Sequence, residues 1–140
     1  MRVYYMFKIN DYFSTLYYNK TYYLYKMLEE ISLSSKNDFI ISYKLFEQIA
    51  LPFDKTMVNS NLYKKYCYDN NYTKTLNKHV YDDGVEKTKL TVYNTYIKIK
   101  TNKNITTFLK VLNLEENIFV CDFNNKDYFW LSKVMTKTLV

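Results

Sequence analysis

A hairpin that is apolar on both of its faces constrains this chain more than any other feature. It lies in residues 117–131, NIFVCDFNNKDYFWL. Asn124-Asn125 suits a two-residue turn with positive φ. Pairing outward from that turn sets Phe123 opposite Lys126, Cys121 opposite Tyr128 and Phe119 opposite Trp130 on one face. The other face carries Ile118, Val120, Phe129 and Leu131. Side chains alternate along a strand, so a sheet with two apolar faces must be covered on both. The same register opposes Asp122 to Asp127, and the expectation is that this pair sits at a solvated turn end where repulsion is weak.

The remaining elements agree with such a layered arrangement. RVYYMFKI, from Arg2 to Ile9, is β-branched and aromatic and reads as a first strand. Asn10 is a candidate N-cap for a helix from Asp11 to about Tyr18, and Asn19 ends it or caps a second helix from Thr21 to about Ile31. SYKLFEQIA predicts a short helix capped by Ser42 and closed by Pro52; a further helix is expected from Met57 to Tyr66. From Lys78 to Thr101 the pattern is antiparallel sheet, with a turn at Asp83-Gly84 and an alternating hairpin about Asn94-Thr95. In NITTFLKVLNL, Asn104 can cap a helix whose stripe is Phe108, Leu109 and Leu112. The fold class expected is α/β of the α+β type: a single domain over residues 1–140, a mostly antiparallel sheet, and helices packed on its faces.

A chain of 140 residues with 48% hydrophobic residues can bury a core without disulfides or a structural metal. One Gly and one Pro leave no flexible linker and no glycine-rich phosphate loop. His79 is the only histidine, which leaves almost no material for a catalytic dyad or a metal cluster, and it reads as structural. Cys67 and Cys121 are far apart, fall in no metal spacing, and are expected to be free thiols. No catalytic residue, cofactor or metal is expected. The N-terminus has no signal-peptide pattern and no apolar run is long enough to span a bilayer, so the expectation is a cytoplasmic protein, monomeric when free. The net charge of +6 comes almost wholly from Lys, since Arg2 is the one arginine. Arg is the better reader of phosphates and bases, so this balance argues against sequence-specific nucleic-acid binding.

Residues 10–31, NDYFSTLYYNKTYYLYKMLEEI, pose the sharper question. On a helical wheel Leu24, Met27, Leu28 and Ile31 form a continuous core stripe, and Tyr22 and Tyr25 fall off it. In the first helix Tyr12 and Leu16 share one line, and Phe13 and Tyr17 form a neighbouring shoulder. Leu16, the aliphatic residue, is expected to point inward with Tyr12. Phe13 and Tyr17 then either wrap the edge of the core or stand out as partner-binding rings stacked one turn apart.

The C-terminal run DFNNKDYFWL resembles a signature of the SirA family, sporulation inhibitors of replication in low-GC spore-forming bacteria. The matching residues are Asp122, Phe123, Asn124, Lys126, Tyr128, Trp130 and Leu131. Tyr4-Tyr5, the spacing of Phe13 and Tyr17, and IALP ending at Pro52 resemble further landmarks of the family. Phe129 departs from it, since Gly is usual between the Tyr and the Trp. The resemblance implies a non-enzymatic protein that binds domain I of the replication initiator DnaA and restrains initiation at the onset of sporulation. It implies partner contacts at Phe13 and Tyr17. It also points to Leu45 and Gln48, counted back from Pro52, although both differ in type from the family's residues there. The competing reading, from the charge alone, is a small basic regulator acting directly on DNA. A contiguous lysine surface would favour that reading, and scattered lysines a protein partner.

Overall fold

A computed structural model of the chain describes residues 1–33, 39–104, 106–112 and 116–139; the side chains of 39–42 and 136–139 lie outside that description. Strand β1 (Arg2–Ile9) runs through the middle of an eight-stranded sheet. On one side β1 pairs with β6 (Ile97–Thr101), and beyond it lie β5 (Lys87–Val92), β4 (Lys78–Asp82) and β3 (Tyr72–Thr75). On the other side β1 pairs with β7 (Ile118–Asp122), and β7 with β8 (Asp127–Trp130). The short β2 (Ala50–Leu51) pairs with Lys8 and Ile9, past the stretch that β6 occupies. Every pairing is antiparallel.

Helices cover both faces, and period-two alternation divides the apolar residues between them. Tyr4 and Met6 of β1 and Ile118 and Val120 of β7 join one core with α4 (Lys55–Tyr66), α5 (Leu109–Leu112) and α6 (Leu131–Leu139). Phe7 and Ile9 of β1 and Phe119 and Cys121 of β7 join the other with α1 (Asp11–Tyr17), α2 (Thr21–Ser32) and α3 (Phe39–Ile49). The two-faced hairpin has the expected register, with Phe119 opposite Trp130 and Cys121 opposite Tyr128. The second hairpin also holds, Val92 pairing with Ile97 and Leu90 with Ile99.

Several local expectations change. Residues 123–126 all lie in the turn, and its positive φ falls on Lys126, not on Asn124 or Asn125. The turn after β4 spans 83–86, where the Asp82 and Asp83 carboxylates accept backbone N–H bonds and Gly84 has φ +88°. Ser42 lies inside α3, which starts at Phe39, and so is not at the N-cap position expected for it. Asn19 lies just past the end of α1, whose C-cap is Tyr18, and does not cap α2; Lys20 holds that N-cap position without a side-chain bond. Asn104 does not cap α5, which begins five residues later, and its side chain accepts from Arg2 instead. Both β3 and α6 are additions to the expected elements. Tyr25 is buried, although it falls off the stripe of Leu24 and Leu28. Its ring stacks on Tyr128 at 4.7 Å and its hydroxyl donates to Glu29 at 2.7 Å, so its polar end is satisfied.

The opposed carboxylates are reconciled chiefly by Arg2: the Asp127 side chain is half-exposed, as a solvated end would have it, but that of Asp122 is not. Asp122 is 1% exposed. Arg2 Nε donates to Asp122 at 3.0 Å and its Nη2 donates to Asp127 at 2.8 Å. One planar guanidinium thus bridges two acids that a strand pairing holds face to face. Burial would raise the Asp122 carboxyl, but bonds from Asn125 and Arg2 outweigh it and hold it below the ordinary range.

Candidate functional site: an aromatic helix pinned between α3 and the C-terminal hairpin

Helix α1 has only seven residues, too few to be stable alone. Its position is set by bonds at both ends. The Asn10 side chain accepts from Phe13 N–H at 2.9 Å, as an N-cap does. Asn10 also donates through its backbone to the Ile49 carbonyl at 2.9 Å and through its amide to the Gln48 carbonyl. The start of α1 is therefore tied to the end of α3. Ser14 is the buried residue of the helix, and its hydroxyl donates back to the Ile9 carbonyl. At the other end Trp130 Nε1–H donates to the Tyr18 carbonyl at 3.1 Å, and the Tyr18 ring stacks over the indole. Lys133 lies 4.1 Å from the Tyr18 ring centre.

This anchoring turns the helix the opposite way from the wheel argument. Phe13 and Tyr17 are half-buried against the core beneath, while Tyr12 is 71% and Leu16 45% exposed. The buried Ser14 and its bond to the Ile9 carbonyl fix the rotation, which sets Phe13 and Tyr17, not Tyr12 and Leu16, against the core. The stacking itself is as expected: the Phe13 and Tyr17 rings are 5.9 Å apart and 4° from parallel. Tyr12 packs edge-on against Phe13 at 5.4 Å. Leu45 and Gln48 lie exposed on the last turns of α3, beside the Asn10 junction. Tyr18, Tyr22 and Tyr23 extend the exposed aromatic surface to the start of α2. The structure thus links the helix of Phe13 and Tyr17 to the helix of Leu45 and Gln48. Tyr12 and Leu16 were missed as surface residues because the wheel offered two apolar lines and no local reason to choose Ser14 as the inward mark.

The groups with chemical potential are otherwise engaged. His79 is fully buried. Asn59 donates its amide to Asn77 Oδ1 at 2.9 Å, which leaves Asn59 Oδ1 as an acceptor 2.7 Å from His79 Nε2. The ring proton therefore sits on Nε2, and Nδ1 accepts from the Tyr72 hydroxyl at 2.6 Å. Burial, with a smaller push from Lys74, lowers the His79 pKa to about 4. Burial likewise raises the Cys121 thiol far above its ordinary value, which suppresses the reactive thiolate. Cys67 and Cys121 are both free, as expected. Glu86 is buried and accepts from Thr88, from Thr107 N–H and from the Thr107 hydroxyl, clamping the β4–β5 turn to the segment before α5. Among the described residues no group of acids, histidines and cysteines could hold a metal ion, and no helix is long and apolar enough to cross a membrane.

The sequence profile of the family described as sporulation inhibitor of replication protein SirA matches residues 2–135. That is nearly the whole chain, and the chain belongs to this family. A comparison with curated proteins returned no match.

Proposed function

We propose that this SirA-family protein restrains replication initiation at the onset of sporulation by binding domain I of the initiator DnaA, through α1 and the last turns of α3. The observation that carries the reading is the parallel Phe13–Tyr17 pair, held on a helix that Asn10 joins to the segment bearing Leu45 and Gln48. Because the pair is half-buried, only part of each ring is open to a partner. Tyr12 and Leu16 supply the open part of the surface. An apolar ridge of this kind, one helical turn long and rimmed by a polar Gln48, suits a groove on a folded protein partner. Binding of this type is inhibitory by occupancy and needs no chemistry in the inhibitor.

The test is titration of variants against purified DnaA domain I, each with a denaturation curve beside it. Truncating a hot-spot ring commonly costs about 2 kcal/mol or more, roughly 30-fold in affinity. Phe13→Ala and Tyr17→Ala are expected to lose about that much. They also lose some stability, since both rings touch the core. Tyr12→Ala and Leu16→Ala are expected to weaken binding with little change in the unfolding midpoint. Leu24→Ala does the reverse, opening a cavity under α2. If all four surface variants fold and bind as tightly as wild type, the interface lies elsewhere and the reading fails.

A further inference from the structure

Away from α1–α3, the face of the sheet that carries Phe7 and Cys121 bears lysines. On β4, β5 and β6 the side chains of this face are Lys78, Val80 and Asp82, then Lys87, Lys89 and Thr91, then Lys98 and Lys100. The register sets them in cross-strand rows. One row runs Val80, Lys89, Lys100, Val3; the next runs Lys78, Thr91, Lys98, Tyr5. Lys89 directly opposes Lys100, a like-charge pairing that sheet stability disfavours. Strands about 4.8 Å apart with a two-residue repeat of about 6.8 Å keep neighbouring lysines well within a Debye length of roughly 8–10 Å, so their fields add. Lys78, Lys87, Lys89 and Lys100 are exposed, and Lys98 lies over the Tyr5 ring. Asp82 is the one acid in these rows, at their margin opposite Lys87, and its carboxylate already accepts from Gly84 N–H. The ion pairs found in the rest of the molecule lie off this face: Arg2 with two aspartates, Lys26 with Glu29, Lys103 with Glu86. None of the five sheet lysines forms an ion pair among the described residues.

We propose that this open lysine face docks the phosphate backbone of duplex DNA without reading its sequence. A concentrated and unneutralised row of cations fits the polymer with the densest fixed negative charge, and release of its counterions drives the contact. Lysine gives point charges without the planar fork that reads base edges, and a broad sheet face meets phosphates before it meets a groove floor. The rows carry no exposed large apolar side chain to enter a lipid layer, which weighs against an anionic membrane as the occupant. Val3, Tyr5 and Lys98, at the inner end of the rows, share a cavity with Tyr43 and Phe46 of α3, whereas Lys78, Lys87, Lys89 and Lys100 lie outside it, so substitutions at Lys89 and Lys100 test this inference without touching the residues of the DnaA reading.

The measurement is fluorescence anisotropy of a labelled duplex of arbitrary sequence, titrated with the full chain over a salt series. With four or five phosphates neutralised, log K against log salt has an expected slope of about −4. Lys89→Gln/Lys100→Gln should weaken low-salt binding about tenfold or more and flatten the slope by about 2. Its unfolding midpoint should be unchanged or higher, because a like-charge opposition is removed. Lys64→Gln/Lys65→Gln, in the last turn of α4, is the control and should bind as wild type does. The proposal is overturned by any of four results: no binding at low salt; equal loss in the control pair; strong preference for one sequence at physiological salt; or tighter binding to phosphatidylserine vesicles than to the duplex at equal salt.

Discussion

The buried imidazole makes the fold acid-sensitive by an amount that can be worked out. His79 has a folded pKa of about 4 against an ordinary value of 6.5, chiefly through burial. A group whose folded pKa is depressed in this way is neutral in the folded state while the unfolded chain takes up a proton. Stability is therefore fully present above about pH 6.5, falls as the pH drops towards 4, and loses nothing further from this residue below that. A gap of about 2.5 units corresponds to roughly 3 kcal/mol, a large share of the 5–15 kcal/mol typical of a domain. Structurally, a second ring proton on Nδ1 would meet the Tyr72 hydroxyl that now donates to that nitrogen, in a site without water contact. As His79 is the only histidine, its imidazole NMR signals titrate without overlap, and urea unfolding at pH 7 and pH 4.5 gives the stability change. Carboxylates held below their ordinary range, such as Asp83, also shed stability on acidification. His79→Gln, which keeps hydrogen-bonding groups but cannot titrate, separates the two: its profile should be flatter than wild type between pH 6.5 and 4.5. A measured His79 pKa above about 6, or equal slopes for wild type and His79→Gln, would refute the reasoning.

Two further outcomes concern the C-terminal hairpin. Arg2→Ala should cost about 3 kcal/mol by leaving the buried Asp122 facing Asp127 unpaired, and Arg2→Lys should recover only part of it because a point charge cannot bridge both acids; a urea midpoint equal to wild type in Arg2→Ala would contradict this. Trp130→Ala should cost roughly 3–5 kcal/mol, since the indole is buried 5.0 Å from Phe119 and holds the Tyr18 carbonyl; a loss below about 1 kcal/mol in chemical denaturation would contradict the packing described.

What could be read from the sequence follows the range of the interactions involved. The two hairpins were legible because a short turn fixes which residues oppose each other, and local strand alternation then divides them between the faces. The core stripe of α2 was legible at Leu24 and Leu28 for the same reason of period. The strand β3, YTKT, has a single buried residue, so its edge position left little apolar signal. The orientation of α1 was not legible because its apolar residues lie on two lines and the decisive bonds come from Ile9, Ile49 and Trp130. Likewise nothing near Asp122 announces Arg2, 120 residues away, and nothing near His79 announces Asn59. The contiguity of Lys89 and Lys100 also emerges only from the β5–β6 register, where lysines scattered along the chain become neighbours.

The separation between the hairpin and the aromatic helix in sequence conceals a physical dependence between them. Helix α1 cannot hold its own shape, and its aromatic pair can be presented in one geometry only if both ends are fixed from outside. Asn10 supplies one end through α3, and Trp130 the other through the Tyr18 carbonyl. Trp130 is in turn set by Phe119 across the sheet, and the hairpin that carries both is closed at its turn by Arg2 from the first strand. A chain of contacts thus runs from Arg2 through β7 and β8 to the rings of Phe13 and Tyr17. Under the proposed interface, side chains ordered before a partner arrives would lose less entropy on binding, and rigidity built in the sheet would become affinity at the helix. The stacked pair, nearly parallel and half-buried, is already in the state a groove would select.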